Sequence, residues 1–298
     1  MVELEPDYPL ARLTTIRSGG AAELFALVTT LADLLDLLVL ARAEERELHV
    51  IGNGSNLLIA DEGVAGIVIH LAGELARIEQ VPAGLRCGGG ARMPATAARA
   101  AALGLAGIEF AVNIPGTVGG AVWMNANAYD GSLATVLEGV DIATADGVRR
   151  RLPEELGFAY RSSNLEPGEV VAGASFALRE EPPEVVRATL AQLRELRHAA
   201  QPKGIKTFGS TFKNPPGETA GQLLAVVGAA GLRVGGARLS PKHANFVENV
   251  DAASSADVVA LMALARDRVL AQTGVALERE VQVLGPLRFP WEDGGDQR

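Results

Sequence analysis

Residues 111–129 read Ala-Val-Asn-Ile-Pro-Gly-Thr-Val-Gly-Gly-Ala-Val-Trp-Met-Asn-Ala-Asn-Ala-Tyr. Pro115, Gly116, Gly119 and Gly120 fall within six residues, a density that predicts an irregular backbone rather than helix or strand. Apolar and small residues flank them, so the stretch is expected to run close to the interior. Enclosed irregular backbone must find partners for its N–H groups. A large anion, such as the pyrophosphate of a dinucleotide, supplies suitable acceptors.

A second glycine-rich stretch, Gly52-Asn53-Gly54-Ser55-Asn56-Leu57-Leu58, follows an expected short strand. It opens like a dinucleotide fingerprint, but Leu57 stands where the third glycine belongs. Ile59-Ala60-Asp61-Glu62-Gly63 then leads to another turn instead of a long helix, which argues against a nicotinamide-type fold. A tight turn explains the glycines alone. Paired with 114–120, the two loops read as a grip on one diphosphate, with Asn125 and Asn127 as amide donors or turn caps.

Composition bounds the rest. The chain has 298 residues, 48% of them hydrophobic and only 4% aromatic, so a globular core of Ala, Leu and Val is expected. A single cysteine, Cys87, excludes an internal disulfide and a CxxC metal site. It reads as a packing residue at a strand end, in a reducing compartment. Glu3, Glu5 and Asp7 give residues 1–12 the wrong charge for a secretory leader, and Asp33 and Asp36 interrupt the early apolar run. A soluble cytoplasmic protein with no membrane partner is the expectation. The net charge of −9 argues against nucleic-acid binding. Charge is nevertheless uneven: Arg194 to Lys242 carries all four lysines and a net +6. That stretch suggests a small anionic ligand, or else a solvated face.

Periodicity and punctuation give a mixed order of elements. Strands are expected at 22–28, 48–51, 66–71, 74–81 and 169–178, and a hairpin over 136–152 around Asp146-Gly147. Helices are expected from Leu31 to Glu45 behind a Thr30/Asp33 cap, from Pro94 to Leu103 before Gly104, from Glu184 to His198, near 218–230, and from Ser254 or Ser255 to Thr273 before Gly274. Trp291 to Arg298 reads as a polar tail. Interleaved helices and hairpins predict an α+β fold. The expected division is 1–62, 63–181 and 182–298, with the last boundary at Glu180-Glu181-Pro182-Pro183.

Four further motifs carry polar chemistry. Tyr160-Arg161-Ser162-Ser163-Asn164 sets an arginine among hydroxyls and amides, suited to a carboxylate but also common at surfaces. Gly209-Ser210-Thr211-Phe212-Lys213-Asn214-Pro215 combines hydroxyls, a cation and an amide, or is a simple turn. In Ser240-Pro241-Lys242-His243-Ala244-Asn245-Phe246, His243 has no companion at metal-ligand spacing and reads as a hydrogen-bonding residue. Leu277-Glu278-Arg279-Glu280-Val281 looks like a strand start, with Glu278 and Glu280 on one face. Paired surface carboxylates are usually solvated, though one can serve as an acid or base.

Taken together with Thr15-Ile16-Arg17-Ser18-Gly19-Gly20-Ala21, these motifs resemble, in order and spacing through nearly the whole chain, the UDP-N-acetylenolpyruvoylglucosamine reductases, also called UDP-N-acetylmuramate dehydrogenases. The resemblance implies a two-part FAD-binding fold of the vanillyl-alcohol oxidase type followed by a substrate-binding domain. It implies non-covalent FAD, NADPH as reductant, and enolpyruvyl-UDP-N-acetylglucosamine as substrate for peptidoglycan synthesis. Hydride passes from flavin N5 to C3 and a serine protonates C2. Matched residue by residue, Ser210 is the implied proton donor, Glu280 the catalytic glutamate and Arg161 the group that stabilises the substrate carboxylate. Implied cofactor contacts are Gly52, Asn53, Gly54, Ser55, Asn56, Leu57, Pro115, Gly116, Thr117, Gly119, Gly120 and Asn125. Implied substrate contacts are Arg161, Lys206, Lys213, Asn214, Lys242 and His243, with the basic stretch at the diphosphate. No metal is implied, and a monomer is favoured.

This chain departs from the pattern in several places. Lys206 and Phe208 alter the usual run before the proton donor. Gln282 stands where some members carry arginine, and Asn127 and Asp130 replace glycines common in the family. The length leaves no room for the extra substrate-covering insertion of longer members, so the chain resembles the compact subtype. Two other readings predict different behaviour. A flavin oxidase of the same fold, acting on an alcohol or sugar, would ignore NADPH and react rapidly with oxygen. A non-catalytic nucleotide-sugar binder would be colourless.

Overall fold

The computed structural model describes residues 2–129, 131–202 and 204–292. Asp130, Lys203 of the basic stretch and positions 293–298 of the expected tail lie outside the described residues. The chain divides into two compact units. The first comprises Met1–Pro6, Leu24–Asn53 and Gly66–Ala199, and the second Asp7–Glu23, Gly54–Ala65 and Ala200–Arg298.

The first unit is organised by a five-stranded antiparallel sheet in the order Gly147–Arg151, Leu137–Thr144, Val170–Ala177, Gly84–Gly88, Ile78–Val81. The expected hairpin closes with Thr144 opposite Gly147, and Asp146 N–H donates to the Thr144 hydroxyl at 3.2 Å. One sheet face shares a core with the helix Met93–Ala102 and with Ile108, Phe110, Val118 and Val122. The other supplies Ala143, Val170 and Ala172 to a second cluster with Ala26, Val28, Ile67 and Ile69. The helix Leu31–Ala43 completes that cluster with Leu34, Leu37, Leu38 and Ala41. Their three- and four-residue spacing puts all four on one helical face. Thr30 caps this helix as expected, accepting from Asp33 N–H at 3.1 Å. Leu48–Val50 runs parallel to the strand ending at Leu71, with Leu48 opposite Ile67.

The second unit builds its core from Leu223, Leu224, Leu239, Val258, Leu261, Met262 and Val269, with Phe208 and Phe212 fully buried. The helix Ser255–Thr273 carries the expected signals: Ser254 and Asp257 form a capping box and Gly274 closes it at φ 75°. Asp61 braces the same helix start, accepting from Ser255 N–H at 2.7 Å. Arg233–Val234, Ala237–Leu239 and Val247–Asn249 form a small antiparallel sheet, and Leu57–Ile59 pairs in parallel with Gln282–Leu284.

The structure corrects four expectations. Only Ile78–Val81 of the run 74–81 is a strand; Gly73–Ala76 forms a 3-10 turn held by Glu74 N–H to Thr29 O, because the chain must reverse there with Leu75 inside. The helix expected near 218–230 is shorter, Ala220–Val226, capped by Thr219 and followed by Gly228 at φ 67°. Residues 277–281 are not regular strand, although Leu277 and Val281 are buried: among the described residues a single Phe212–Arg279 bridge is all that pairs them. Finally, the glycine-dense stretch contains a regular helix, Val118–Trp123, which includes Gly119 and Gly120. Its first N–H groups meet protein acceptors, Val118 to Ala91 O at 2.8 Å and Gly119 to Gly89 O at 2.7 Å, which offsets the poor helix propensity of glycine.

Candidate cofactor and catalytic sites

In the first unit, the two glycine-rich stretches meet at Gly52 and Thr117. A Cβ on Gly52 would lie 2.4 Å from the Thr117 hydroxyl, so only glycine admits this approach. The Thr117 hydroxyl caps its own helix by accepting from Gly120 N–H at 3.3 Å. The Asn53 amide donates to Pro115 O, and Gly116 O accepts from Met93 N–H at 3.0 Å. Val118, Gly119 and Gly120 therefore do not need an anion for their N–H groups, contrary to the expectation for this stretch. Among the described residues, the N–H groups of Asn53, Gly116 and Thr117 donate to no protein acceptor. A buried acceptor, Asn125 Oδ1, also has no partner among the described residues. Unpaired donors and an orphaned acceptor in one unit suit a group with both phosphate oxygens and polar hydrogens, and FAD is such a group.

A tight hairpin at 159–162 carries Arg161. Ala159 and Ser162 exchange both backbone hydrogen bonds, leaving Tyr160 and Arg161 at the tip, with Arg161 left-handed at φ 58°. The hairpin is fastened to residues 123–127 by three side chains. Asn125 Nδ2 donates to Ala159 O at 3.1 Å, Ser163 to Trp123 O at 2.9 Å, and Arg161 Nη1 to Asn127 Oδ1 at 2.7 Å.

In the second unit, Ser210 and Glu280 sit on adjoining segments. The Phe212–Arg279 bridge is flanked by Glu280 N–H to Thr211 O and Lys213 N–H to Glu278 O, both 2.8 Å. Asn245, 3% exposed, locks Phe212 from both sides, accepting from its N–H at 2.9 Å and donating to its carbonyl at 2.8 Å. The segment Gly54–Leu57 joins them: Asn56 Nδ2 donates to Glu280 O at 3.2 Å. Thr15 reaches both Gly54 O at 3.1 Å and Thr207 O at 2.6 Å through its hydroxyl. The N–H groups of Gly54, Ser55 and Asn56 donate to no protein acceptor among the described residues.

The basic stretch is less cationic than its sequence suggests, because acids elsewhere in the chain meet it. Lys213 pairs with Glu278 at 3.3 Å, Arg233 with Asp251 at 3.1 Å, and Arg238 with the buried Glu248 at 2.5 Å. Lys242 Nζ donates to Gln201 O at 2.8 Å, and Asn214 Oδ1 accepts from Ala220 N–H at 3.0 Å. Lys206 is exposed. His243 stacks edge-on against Phe246 at 4.6 Å, with a buried Nδ1 that has no partner among the described residues. Burial lowers its pKa, so it stands neutral at pH 7. No cluster of metal-ligating side chains occurs among the described residues.

Sequence reading missed Thr15 and Asn245 as individual residues, although both lie in quoted motifs. An asparagine between alanine and phenylalanine, at a buried turn, was the available signal for Asn245.

Comparison with known proteins gives the family. The model described as "FAD binding domain" matches residues 22–152, and that described as "UDP-N-acetylenolpyruvoylglucosamine reductase, C-terminal domain" matches 201–284. UDP-N-acetylenolpyruvoylglucosamine reductase 2 of Symbiobacterium thermophilum is 42% identical over 95% of this chain and 92% of its own length. The chain belongs to the UDP-N-acetylenolpyruvoylglucosamine reductase family. The family's enzyme from Anaeromyxobacter dehalogenans strain 2CP-C is 44% identical over 95% of this chain and 86% of its own length. The crystal structure of the Thermus caldophilus reductase superposes with a TM-score of 0.84 at 39% identity, covering 96% of this chain and all of that one. The α+β fold and the flavin-binding domain expected from sequence hold in this family member.

Proposed function

We propose that this chain reduces enolpyruvyl-UDP-N-acetylglucosamine to UDP-N-acetylmuramate for peptidoglycan synthesis, as an FAD-dependent oxidoreductase with NADPH as reductant. The observation that carries the reading is the pairing of the Ser210 segment with the Glu280 segment around the Phe212–Arg279 bridge. It joins the two residues matched to proton donor and catalytic glutamate. FAD supplies the two-electron chemistry when bound. In this reading Asn53, Gly116 and Thr117 would hold it through their unpaired N–H groups and Asn125 through its unpaired Oδ1, with Gly52, Pro115, Gly119 and Gly120 assigned to it by resemblance. Gly54, Ser55, Asn56 and Leu57 are assigned to it by resemblance alone.

The chain's own residues then divide the work. Negative charge builds at C2 and on the adjoining carboxylate during reduction, and the Arg161 guanidinium stabilises it. Ser210 Oγ gives its proton to C2; an isolated serine is a weak acid, but the enolate carbon is basic enough to take it. Glu280 is the catalytic glutamate by the same match, acting at the substrate carboxylate. Lys206, Lys213, Asn214, Lys242 and His243 face the nucleotide sugar. For Lys213 and Lys242 this means exchanging Glu278 and Gln201 for substrate oxygens. No described helix is long and apolar enough to cross a membrane. Action in the cytoplasm belongs to the same reading, supported by the lone buried cysteine, as does a monomeric state, which sedimentation tests.

Anaerobic reduction of the purified protein by NADPH, followed by addition of the enolpyruvyl nucleotide sugar, tests the function. Return of the oxidised flavin spectrum is the expected result, and flavin that stays reduced would sink the reading. Rapid reoxidation by oxygen with no response to NADPH would favour the oxidase instead.

A further inference from the structure

A proton donor has to be held at one point, and Ser210 is held from one side. Gly209, just before it, stands in left-handed backbone at φ 84°, and nothing presses on it: a Cβ there would come no closer than 3.6 Å to Ser55 O. The residues after Ser210 are the firm side. Thr211 N–H donates to the Asn245 carbonyl and Thr211 O accepts from Glu280 N–H, both at 2.8 Å. Phe212 N–H donates to Asn245 Oδ1 at 2.9 Å, and Phe212 O accepts from Asn245 Nδ2 at 2.8 Å. Lys213 N–H donates to Glu278 O at 2.8 Å. Three of these five bonds run to Asn245. Ser210 itself lies opposite Phe246, the next residue after Asn245.

The Asn245 side chain serves Phe212 as a one-residue strand partner. A carboxamide presents a donor and an acceptor side by side, as a peptide does. Turning the amide over would set its NH2 against the Phe212 N–H and its oxygen against the Phe212 oxygen, so the two bonds fix its orientation. Phe212 is fully buried and Asn245 nearly so, which leaves water no access to either bond. Leucine, of almost the same shape, would strand a buried N–H and a buried carbonyl. The turn that carries Asn245 is anchored independently, by Phe246 N–H to His243 O at 3.0 Å and Ser240 N–H to Phe246 O at 2.8 Å.

We infer that Asn245 is a positioning residue for Ser210: its amide clamps the Phe212 peptide, two residues on, and thereby sets where the Ser210 hydroxyl stands for proton transfer. Asn245 acts through the backbone and not on the substrate. The inference rests on the proposed role of Ser210.

A double-mutant cycle on the FAD-loaded enzyme tests it, following flavin reduction by NADPH and reoxidation by enolpyruvyl-UDP-N-acetylglucosamine separately. Asn245→Leu is expected to leave reduction unchanged and to slow reoxidation by about 10–100-fold, because a misplacement of about 1 Å at a reacting group costs on the order of 10²-fold. The substrate concentration giving half the maximal rate should stay near that of the parent, since binding does not depend on the serine proton. In a Ser210→Ala background the same change is expected to have no further effect, because the group it positions is gone. Asn245→Asp keeps the shape and the acceptor for Phe212 N–H but, ionised, has no donor for Phe212 O. It is expected to slow the same half-reaction with reduction intact, and it carries the test if Asn245→Leu fails to fold. Equal slowing by Asn245→Leu in both backgrounds, or of both half-reactions, would overturn the inference, since a merely structural role gives that result. Parent-like reoxidation in either variant would overturn it as well. Parent-like reoxidation in Ser210→Ala alone would instead remove Ser210 from the proposed function, a distinguishable failure.

Discussion

Glu280 stands opposite Thr211: its N–H donates to the Thr211 carbonyl at 2.8 Å, one residue from Ser210. The backbone that carries the matched glutamate therefore also fixes the backbone that carries the matched serine. No hydrogen bond involving the Ser210 hydroxyl occurs among the described residues, and its residue is half-buried, so the group is available to a ligand rather than committed to the fold. Ser210→Ala is expected to fold normally and to be reduced by NADPH near the parent rate. Reoxidation by the enolpyruvyl substrate should slow by about 10²–10⁴-fold, the range of a lost general acid. Stopped-flow flavin absorbance separates the halves, and equal slowing of both would remove Ser210 from the proton-donor role.

Thr15 links Gly54 to the chain just before Ser210. Its hydroxyl lies 2.6 Å from Thr207 O and 3.1 Å from Gly54 O, and its N–H also reaches Gly54 O at 3.0 Å. Thr15→Val keeps the shape and removes the hydroxyl, so the Thr207 carbonyl loses this donor. The expected cost is about 1 kcal/mol, seen as a lower urea midpoint, because one hydrogen bond is lost and its acceptor is left unmet. An unchanged midpoint would mean that water replaces the hydroxyl without penalty.

What the sequence made legible was local. Thr30, Ser254 and Gly274 announced helix ends because a cap is made within four residues of the group it satisfies, and each stands where expected. Gly119 and Gly120 misled for the complementary reason. Glycine density lowers local helix propensity, but the acceptors that rescue Val118–Trp123 come from Gly89 and Ala91, nearly thirty residues away. The site residues were legible as motifs, and their partners were not. Thr15 meets Thr207 across 192 residues, and Asn127 meets Arg161 across 34. Nothing in residue type or spacing announces such pairs. The ion pairs of the basic stretch were hidden for the same reason, since Glu278, Asp251 and Glu248, which pair with it, lie beyond its end.

The surroundings of Cys87 make it a packing residue, as its sequence context leads one to expect. It lies in the strand Gly84–Gly88, 1% exposed, and accepts a hydrogen bond from the Thr96 hydroxyl. Burial pushes the thiol up to about 11, with the Thr96 bond opposing weakly. The thiolate is the reactive form, so the native protein is expected to resist an aromatic disulfide reagent at pH 8. One thiol per chain should react once urea unfolds it. Prompt labelling of the native state would show that the strand opens locally.

Asp257 gives the fold a predictable response to acid. One of its carboxylate oxygens accepts from Gly236 N–H and from Ser254 N–H, each at 3.1 Å. These bonds, Gly236 first, favour the charged form and hold its pKa below the usual carboxylate range, outweighing desolvation. A depressed folded-state pKa means that the unfolded chain binds the proton more readily. The stabilisation is therefore fully present above the unfolded value of about 3.9 and is lost as pH falls through the folded value beneath it. Asp257→Asn removes the charge at every pH. The difference in urea midpoint between parent and variant is expected to be largest near pH 7 and to shrink below about pH 4, where the parent carboxylate also becomes neutral. A difference that stays constant down to pH 3 would assign the effect of the substitution to lost geometry at the helix cap rather than to charge.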